Sequence, residues 1–133
     1  GKDLLGGIGM GMKSFNLLAE AEALTTLWSP KVVGRVNDSF VKVAKVQGEF
    51  VWHAHEHEDE MFLILKGRLR IEMDEGPIEL GAGDAFVVPK GMRHNPVAQE
   101  ECCLVLIEPV ETTHTGDVVT ERTKSIEEQL RES

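Results

Sequence analysis

Tyrosine is absent from this chain, so no mechanism that needs a phenol as its proton donor can run on it. Cysteine is scarce, with two residues side by side, Cys102 and Cys103. Neighbours on a strand point to opposite faces, so these two cannot bridge without distortion, and no other cysteine is there to pair with them. They read as small apolar core residues of a protein kept in a reducing, cytoplasmic setting. Basic residues are outnumbered, 14 against 23 acids, for a formal charge of -9. Phosphate binding needs a basic surface, so no nucleic-acid partner is expected. Apolar runs such as residues 61–65 are far too short to span a bilayer, and no membrane partner is expected. Residues 1–13 hold glycines and methionines but no apolar stretch or cleavage pattern of a secretory leader, and Met10 or Met12 would serve as a start. No Gly-x-Ser-x-Gly and no phosphate-cradling glycine loop before a helix occurs, so neither hydrolase triads nor nucleotide-dependent transfer has support.

Histidine is what the chain does have. Three of its five histidines crowd into the run Trp52-His53-Ala54-His55-Glu56-His57-Glu58-Asp59-Glu60. A fourth, His94, follows Pro89-Lys90-Gly91-Met92-Arg93. Residues two apart on a strand share a face, about 6.6 Å from each other. His53 and His55 can therefore grip one ion. Glu60 comes five residues after His55, far enough to turn a corner and present a carboxylate from the next strand.

The chain's 133 residues, 41% of them hydrophobic, suit one domain with one core. A mobile segment is expected over 1–13 and a single domain over 14–133, with its motifs within 48–98. Residues 19–24 are good helix material, which Pro30 would end. From Lys31 on, turn signals recur every six to twelve residues, Asn37-Asp38 and Gly76-Pro77 among them. Strands are predicted over 31–36, 40–46, 50–55, 60–66, 68–73, 77–80, 84–88, 93–98 and 102–108. That density points to an all-β sandwich or barrel. The tail from Thr112 is polar, and Ser125 with Glu128 has the spacing of a capping box.

The two histidine segments resemble the paired motifs of the cupin superfamily. Gly48, His53, His55, Glu60 and Gly67 match the first in order, and Gly83, Pro89, Gly91 and His94 match the second in order and spacing. Gly48 stands one residue closer to His53 than usual, and Ala98 takes the place of a frequent asparagine. Neither change removes a ligand. The resemblance covers roughly residues 37–109. It implies a double-stranded β-helix, a jelly-roll barrel with a short N-terminal helix and a polar C-terminal tail. It also implies His53, His55, Glu60 and His94 as ligands of one divalent transition metal. Three imidazoles and a carboxylate suit Fe, Mn, Ni, Cu or Zn. Four protein ligands leave an octahedral ion two open positions for substrate, water or dioxygen. Sugar-nucleotide epimerases of similar fold use a His–Tyr pair, which this chain cannot supply.

Strand parity extends the reading. If Glu60 faces in, so do Phe62 and Ile64, and Met61, Leu63 and Leu65 face out. If His53 and His55 face in, Val51 does too, and Phe50 and Trp52 face out. An apolar outer face needs a cover, either the first elements of the chain or a second copy, and a homodimer is expected. Phe62, Ile64, Val105 and Ile107 are predicted to line the barrel, and Trp28 and Trp52 to pack. His57 reads as a solvated histidine in an acidic turn, Asp59 as part of that turn, and His114 as a surface residue. Arg68, Arg70 and Glu72 read as a solvated face; an arginine turned inward would select a carboxylate or phosphate. No catalytic base is assigned. The expected function is a small metal-dependent enzyme, dioxygenase- or isomerase-like, acting on a small organic molecule. The alternatives are a metal-dependent binding or sensing module and a barrel with a vestigial site.

Overall fold

The computed structural model describes residues 13–112. The expected mobile start, apart from Lys13, lies outside that range, as do His114 and the capping box at Ser125. Strands β1 (Lys31–Val36) and β2 (Ser39–Glu49) form a hairpin about Asn37-Asp38, where Asn37 takes φ 48°. Strand β3 (Glu60–Lys66) turns at Gly67 into β4 (Arg68–Met73), which pairs with β5 (Ile78–Gly81). Strand β6 (Ala85–Val88) pairs back on β3. Strand β7 (His94–Pro109) is 16 residues long and bonds to β2, β3 and β4. Every pairing is antiparallel, with β1, β2, β7, β3 and β6 in that order and β4–β5 joined through β7. This is the expected all-β jelly roll.

Two predicted strands, 93–98 and 102–108, are one. The polar run Gln99-Glu100-Glu101 has the look of a turn but continues β7 as exposed strand. There β7 bulges, with Gln99, Glu100 and Glu101 opposite the single residue Gln47 of β2, and the next residue, Gly48, sits at φ +89°, a conformation that glycine adopts without a Cβ penalty.

The predicted strand 50–55 is a loop carrying a single bridge, His53 to His94. Phe50 N–H donates to Pro96 O at 3.1 Å, and His53 N–H to His94 O at 3.0 Å. Three residues on one side thus span two on the other, and Pro96 has no N–H to return. The extra residue breaks the alternation. Phe50 therefore faces in (8% exposed) alongside His53, against the outward orientation that regular parity predicts.

Two apolar clusters flank the main sheet. The inner one holds Ala44, Val46, Phe62, Ile64, Leu69, Ile71, Cys102, Leu104 and Leu106. The outer one holds Val43, Cys103 and Val105 against Ala21 and Leu24, with Leu63, Leu65 and Ile107 at its margin. Cys102 and Cys103 divide between the two faces, as adjacent strand residues must. The parity of β3 is as predicted, but that of β7 is reversed: Leu104 and Leu106 line the barrel, not Val105 and Ile107. The reason is register, since Phe62 pairs with Leu106 and Ile64 with Leu104 across the ladder.

The cover over Leu63 and Leu65 comes from helix α1 (Leu17–Glu22) and Leu24. Asn16 caps it, its Oδ1 accepting from Ala19 N–H at 2.8 Å. The helix ends at Ala23, well before Pro30, because the β-branched Thr25 and Thr26 that follow favour other conformations.

Gly67 makes the β3–β4 corner possible. Its φ is +89°, and a Cβ there would lie 2.7 Å from the backbone oxygen of Glu101 and 3.1 Å from Cys102 Cα. Neither atom can swing away. Gly67→Ala is expected to cost at least about 2 kcal/mol in urea unfolding. Unchanged stability would show that the corner relaxes.

Candidate metal centre

His53 sits in the bridged loop, His55 two residues on, Glu60 at the first position of β3 and His94 at the first position of β7. The backbone draws these segments together. His53 and His94 exchange N–H···O bonds of 3.0 and 2.9 Å, and Gly91 N–H donates to His55 O at 2.8 Å. Asp59 Oδ1 accepts from Lys90 N–H at 2.9 Å, so the acidic turn clamps the Pro89–Gly91 turn. The two sequence motifs are stitched edge to edge.

One donor atom from each of His53, His55, Glu60 and His94 falls within 4.8 Å of the others. All four residues are at most 4% exposed. Glu60 Oε1 lies 3.3 Å from His55 Nε2 and 3.4 Å from His94 Nε2. His53 Nδ1 is 2.9 Å from Val51 O, and His94 Nδ1 is 3.0 Å from Met92 O. A carbonyl can only accept, so each Nδ1 carries a proton, and Nε2 is the ring nitrogen left to face the cluster. His55 Nε2, His94 Nε2 and Glu60 Oε1 have no directed hydrogen-bond partner. Buried polar atoms seldom stay so, and three that converge suit a cation between them.

Burial pushes the His53 ring down to about 4 from 6.5, and the neighbouring His94 adds to it. A neutral ring is the form that binds metal. For Glu60, burial alone would raise the pKa. The His55, His94 and Glu108 side chains beside it outweigh that effect and hold the carboxylate well below 4.5. Both shifts act on stability in one direction. Between about pH 6.5 and 4 the unfolded chain binds a proton at residue 53 that the folded chain refuses. That contribution is complete above 6.5 and falls as the pH drops, by at most about 3 kcal/mol. The share of Glu60 is lost lower still, below 4.5. Urea unfolding of the metal-free protein at pH 7 and pH 4.5 checks this, and equal stabilities would defeat it.

On one side the cluster meets a cavity of about 30 Å³. Its walls include Trp28, Phe50, Phe62 and Leu104, with His53 and Glu60 as the polar lining. Trp28 stacks on Phe50 with centroids 4.6 Å apart, and its indole N–H donates to Gln47 O at 2.9 Å. Trp28 and Phe50 thus belong to the site, one more than packing and the other contrary to its predicted outward face. Trp52 lies under the Arg93 guanidinium, 4.8 Å from its centroid. Arg68 and Arg70 sit on the outer side of β4, exposed and half-buried, and among the described residues no arginine or lysine lines the cavity. His57 is exposed, in a surface groove with Glu58, Asp59 and Lys90, away from the cluster.

Sequence reasoning missed two residues. Lys42 Nζ lies 2.6 Å from Glu108 Oε2, and both side chains are 0% exposed. The contact is close but poorly aligned, an ion pair more than a directed hydrogen bond. Glu108 is also next in register to Glu60 across β7 and β3, so the two carboxyls feel each other's charge. Burial and the Glu60 charge push Glu108 well above 4.5, with Lys42 pulling the other way. The signal was available. Lys42 shares the parity of Ala44 and Val46, and Glu108 that of Leu104 and Leu106.

An antiparallel jelly roll with an inward His–Glu cluster where two turns meet defines a class: small β-barrels built around one buried site. The chain belongs to the cupin domain family, whose profile matches residues 39–108. It is similar to a cupin-2 domain protein of Shewanella frigidimarina, with 42% identity, TM-score 0.72, and coverage of 76% of this chain and 99% of that one. Protein NMB1881 of Neisseria meningitidis is 28% identical at TM-score 0.66, covering 73% of this chain and 99% of that one. The uncharacterized protein YdbB of Bacillus subtilis (strain 168) is 37% identical over 83 residues, 62% of this chain and 74% of its own length.

Proposed function

We propose that this cupin is a small metal-dependent enzyme. It holds one divalent transition metal on His53, His55, Glu60 and His94 and acts on a small organic molecule within the barrel. One observation carries the reading: four buried donor atoms converge, three of them unpartnered, beside an apolar cavity. Fe, Mn, Ni, Cu and Zn all suit the donor set. When bound, such an ion supplies Lewis acidity and open coordination positions, the chemistry of dioxygenases and isomerases. The chain's own part is to keep the His53 ring neutral, orient His53 and His94 through Val51 O and Met92 O, and exclude water with Trp28 and Phe50. Among the described residues the cavity's lining carries no cation, which favours a substrate without a phosphate. Its size demands either a very small substrate or movement of Trp28 from Phe50.

A binding or sensing role is the second reading. It draws on the lack of any titratable side chain in the cavity lining beyond His53 and Glu60. Elemental analysis of the purified protein tests the shared premise. About one equivalent of metal is expected, with affinity reduced more than about 100-fold in His55→Ala, a larger loss than outer-sphere changes bring. Full-strength binding in that variant would defeat the ligand assignment. Oxygen consumption and turnover with small apolar candidate substrates then separate the enzyme from the binding module.

A further inference from the structure

We infer that Lys42 and Glu108 form a buried charge pair that positions Glu60 for the metal. This rests on the proposed metal site and assigns two residues outside it. The three groups lie on adjacent strands in the order β2, β7, β3. Glu108 pairs with Phe40, two residues from Lys42 on the same face of β2. Met61 pairs with Ile107, so Glu60 and Glu108 are next in register and face the same interior. Lys42, Glu108 and Glu60 therefore make one charged layer at the end of an apolar barrel, 0%, 1% and 2% exposed.

Stability alone is a weak account of such a layer. Removing two charges from water costs several kcal/mol per ion, and apolar pairs of similar volume commonly serve a fold as well or better. The neighbours on the same faces are Ala44, Val46, Leu104 and Leu106, so an apolar pair would continue the core without a break. Location is the stronger argument. Glu60 turns Oε1 toward His55 and His94, while Glu108 lies next in register on β7, buried on the same face. Glu108 is not itself in the donor group. A second carboxylate pressed on Glu60 would add unwanted negative charge, and Lys42 at 2.6 Å offsets it. Carboxylates that ligate metals are themselves held by outer partners, which fix their direction. Lys42 and Glu108 fit that role as positioning residues.

The test compares wild type with the double variant Lys42→Met/Glu108→Leu. Three quantities are measured: metal-free stability in urea, Zn(II) affinity by chelator competition, and the visible spectrum of the Co(II)-loaded protein. The double variant should be as stable as wild type or more so, bind zinc about 10–100-fold more weakly, and give a shifted Co(II) spectrum. A purely structural pair would move stability and affinity together. Zinc affinity within twofold of wild type and an unchanged Co(II) spectrum would overturn the inference. Should the double variant fail to fold, the near-isosteric Glu108→Gln is read by the same criteria, with a loss of about tenfold expected. Wild type that takes up neither ion after reconstitution would sink the metal site itself, and the inference with it. Wild type that binds both ions alongside an unaltered variant would sink the inference alone.

Discussion

Metal added to the metal-free protein is expected to raise its unfolding free energy by about 4 kcal/mol at a free concentration a thousand times Kd. For a domain of this size that is roughly 10–20 °C in Tm. His94→Ala is expected to abolish the rise. His94 is fully buried, its Nε2 lies 3.4 Å from Glu60 Oε1, and its Nδ1 is committed to Met92 O. Its structural duty is mostly backbone: the two bonds to His53 use main-chain atoms, which alanine retains. The variant also removes a buried nitrogen without a partner, which offsets part of the lost packing. The metal-free variant should therefore still fold, and the difference from wild type should appear when metal is added. Thermal unfolding of both proteins with and without zinc measures this. An undiminished zinc-induced shift in the variant would remove His94 from the donor set.

The same contrast between local and distant causes explains what the sequence revealed. The four clustered residues were legible because short-range signals fix each of them. His-x-His spacing, the Gly67 corner and the Pro89–Gly91 turn act over a few residues, and the order of the two motifs does the rest. The β3 faces followed from simple alternation after Glu60. Failures came where one strand's neighbours decide its faces. The loop at 50–55 looked like a strand, but three residues span two against Pro96, and Phe50 was thereby turned inward. The run 99–101 looked like a turn, but it is a bulge within β7 opposite Gln47, which only the pairing reveals. Assigning Val105 and Ile107 to the interior put Glu108 outside. The parity set by Leu106, which pairs with Phe62, brings Glu108 in beside Glu60. One wrong face thus concealed both members of the buried pair. The helix material at 19–24 was legible by propensity, whereas its seat on Leu63 and Leu65 depends on long-range packing.

That buried pair yields the other large effect. Lys42→Met alone should cost about 3–5 kcal/mol, because it strands a carboxyl group in an apolar interior next to a second one. Glu108→Leu alone should cost a similar amount by stranding the lysine. The double variant leaves neither charge behind. The two single losses should therefore not add, and the difference is a coupling energy between side chains in contact. Urea unfolding of the four metal-free proteins completes the cycle. The Lys42 side chain has no exposed surface, and its amine lies 2.6 Å from the carboxylate. A lysine that could reach water would tolerate the loss of its partner, since exposed ion pairs contribute about 0–1 kcal/mol. Single-variant costs below about 1 kcal/mol would therefore mean that the amine or the carboxylate escapes to solvent. Costs of several kcal/mol that vanish in the double variant would mean that the fold tolerates the pair rather than depends on it. The metal site then becomes the reason to keep two charges at the end of an otherwise apolar barrel.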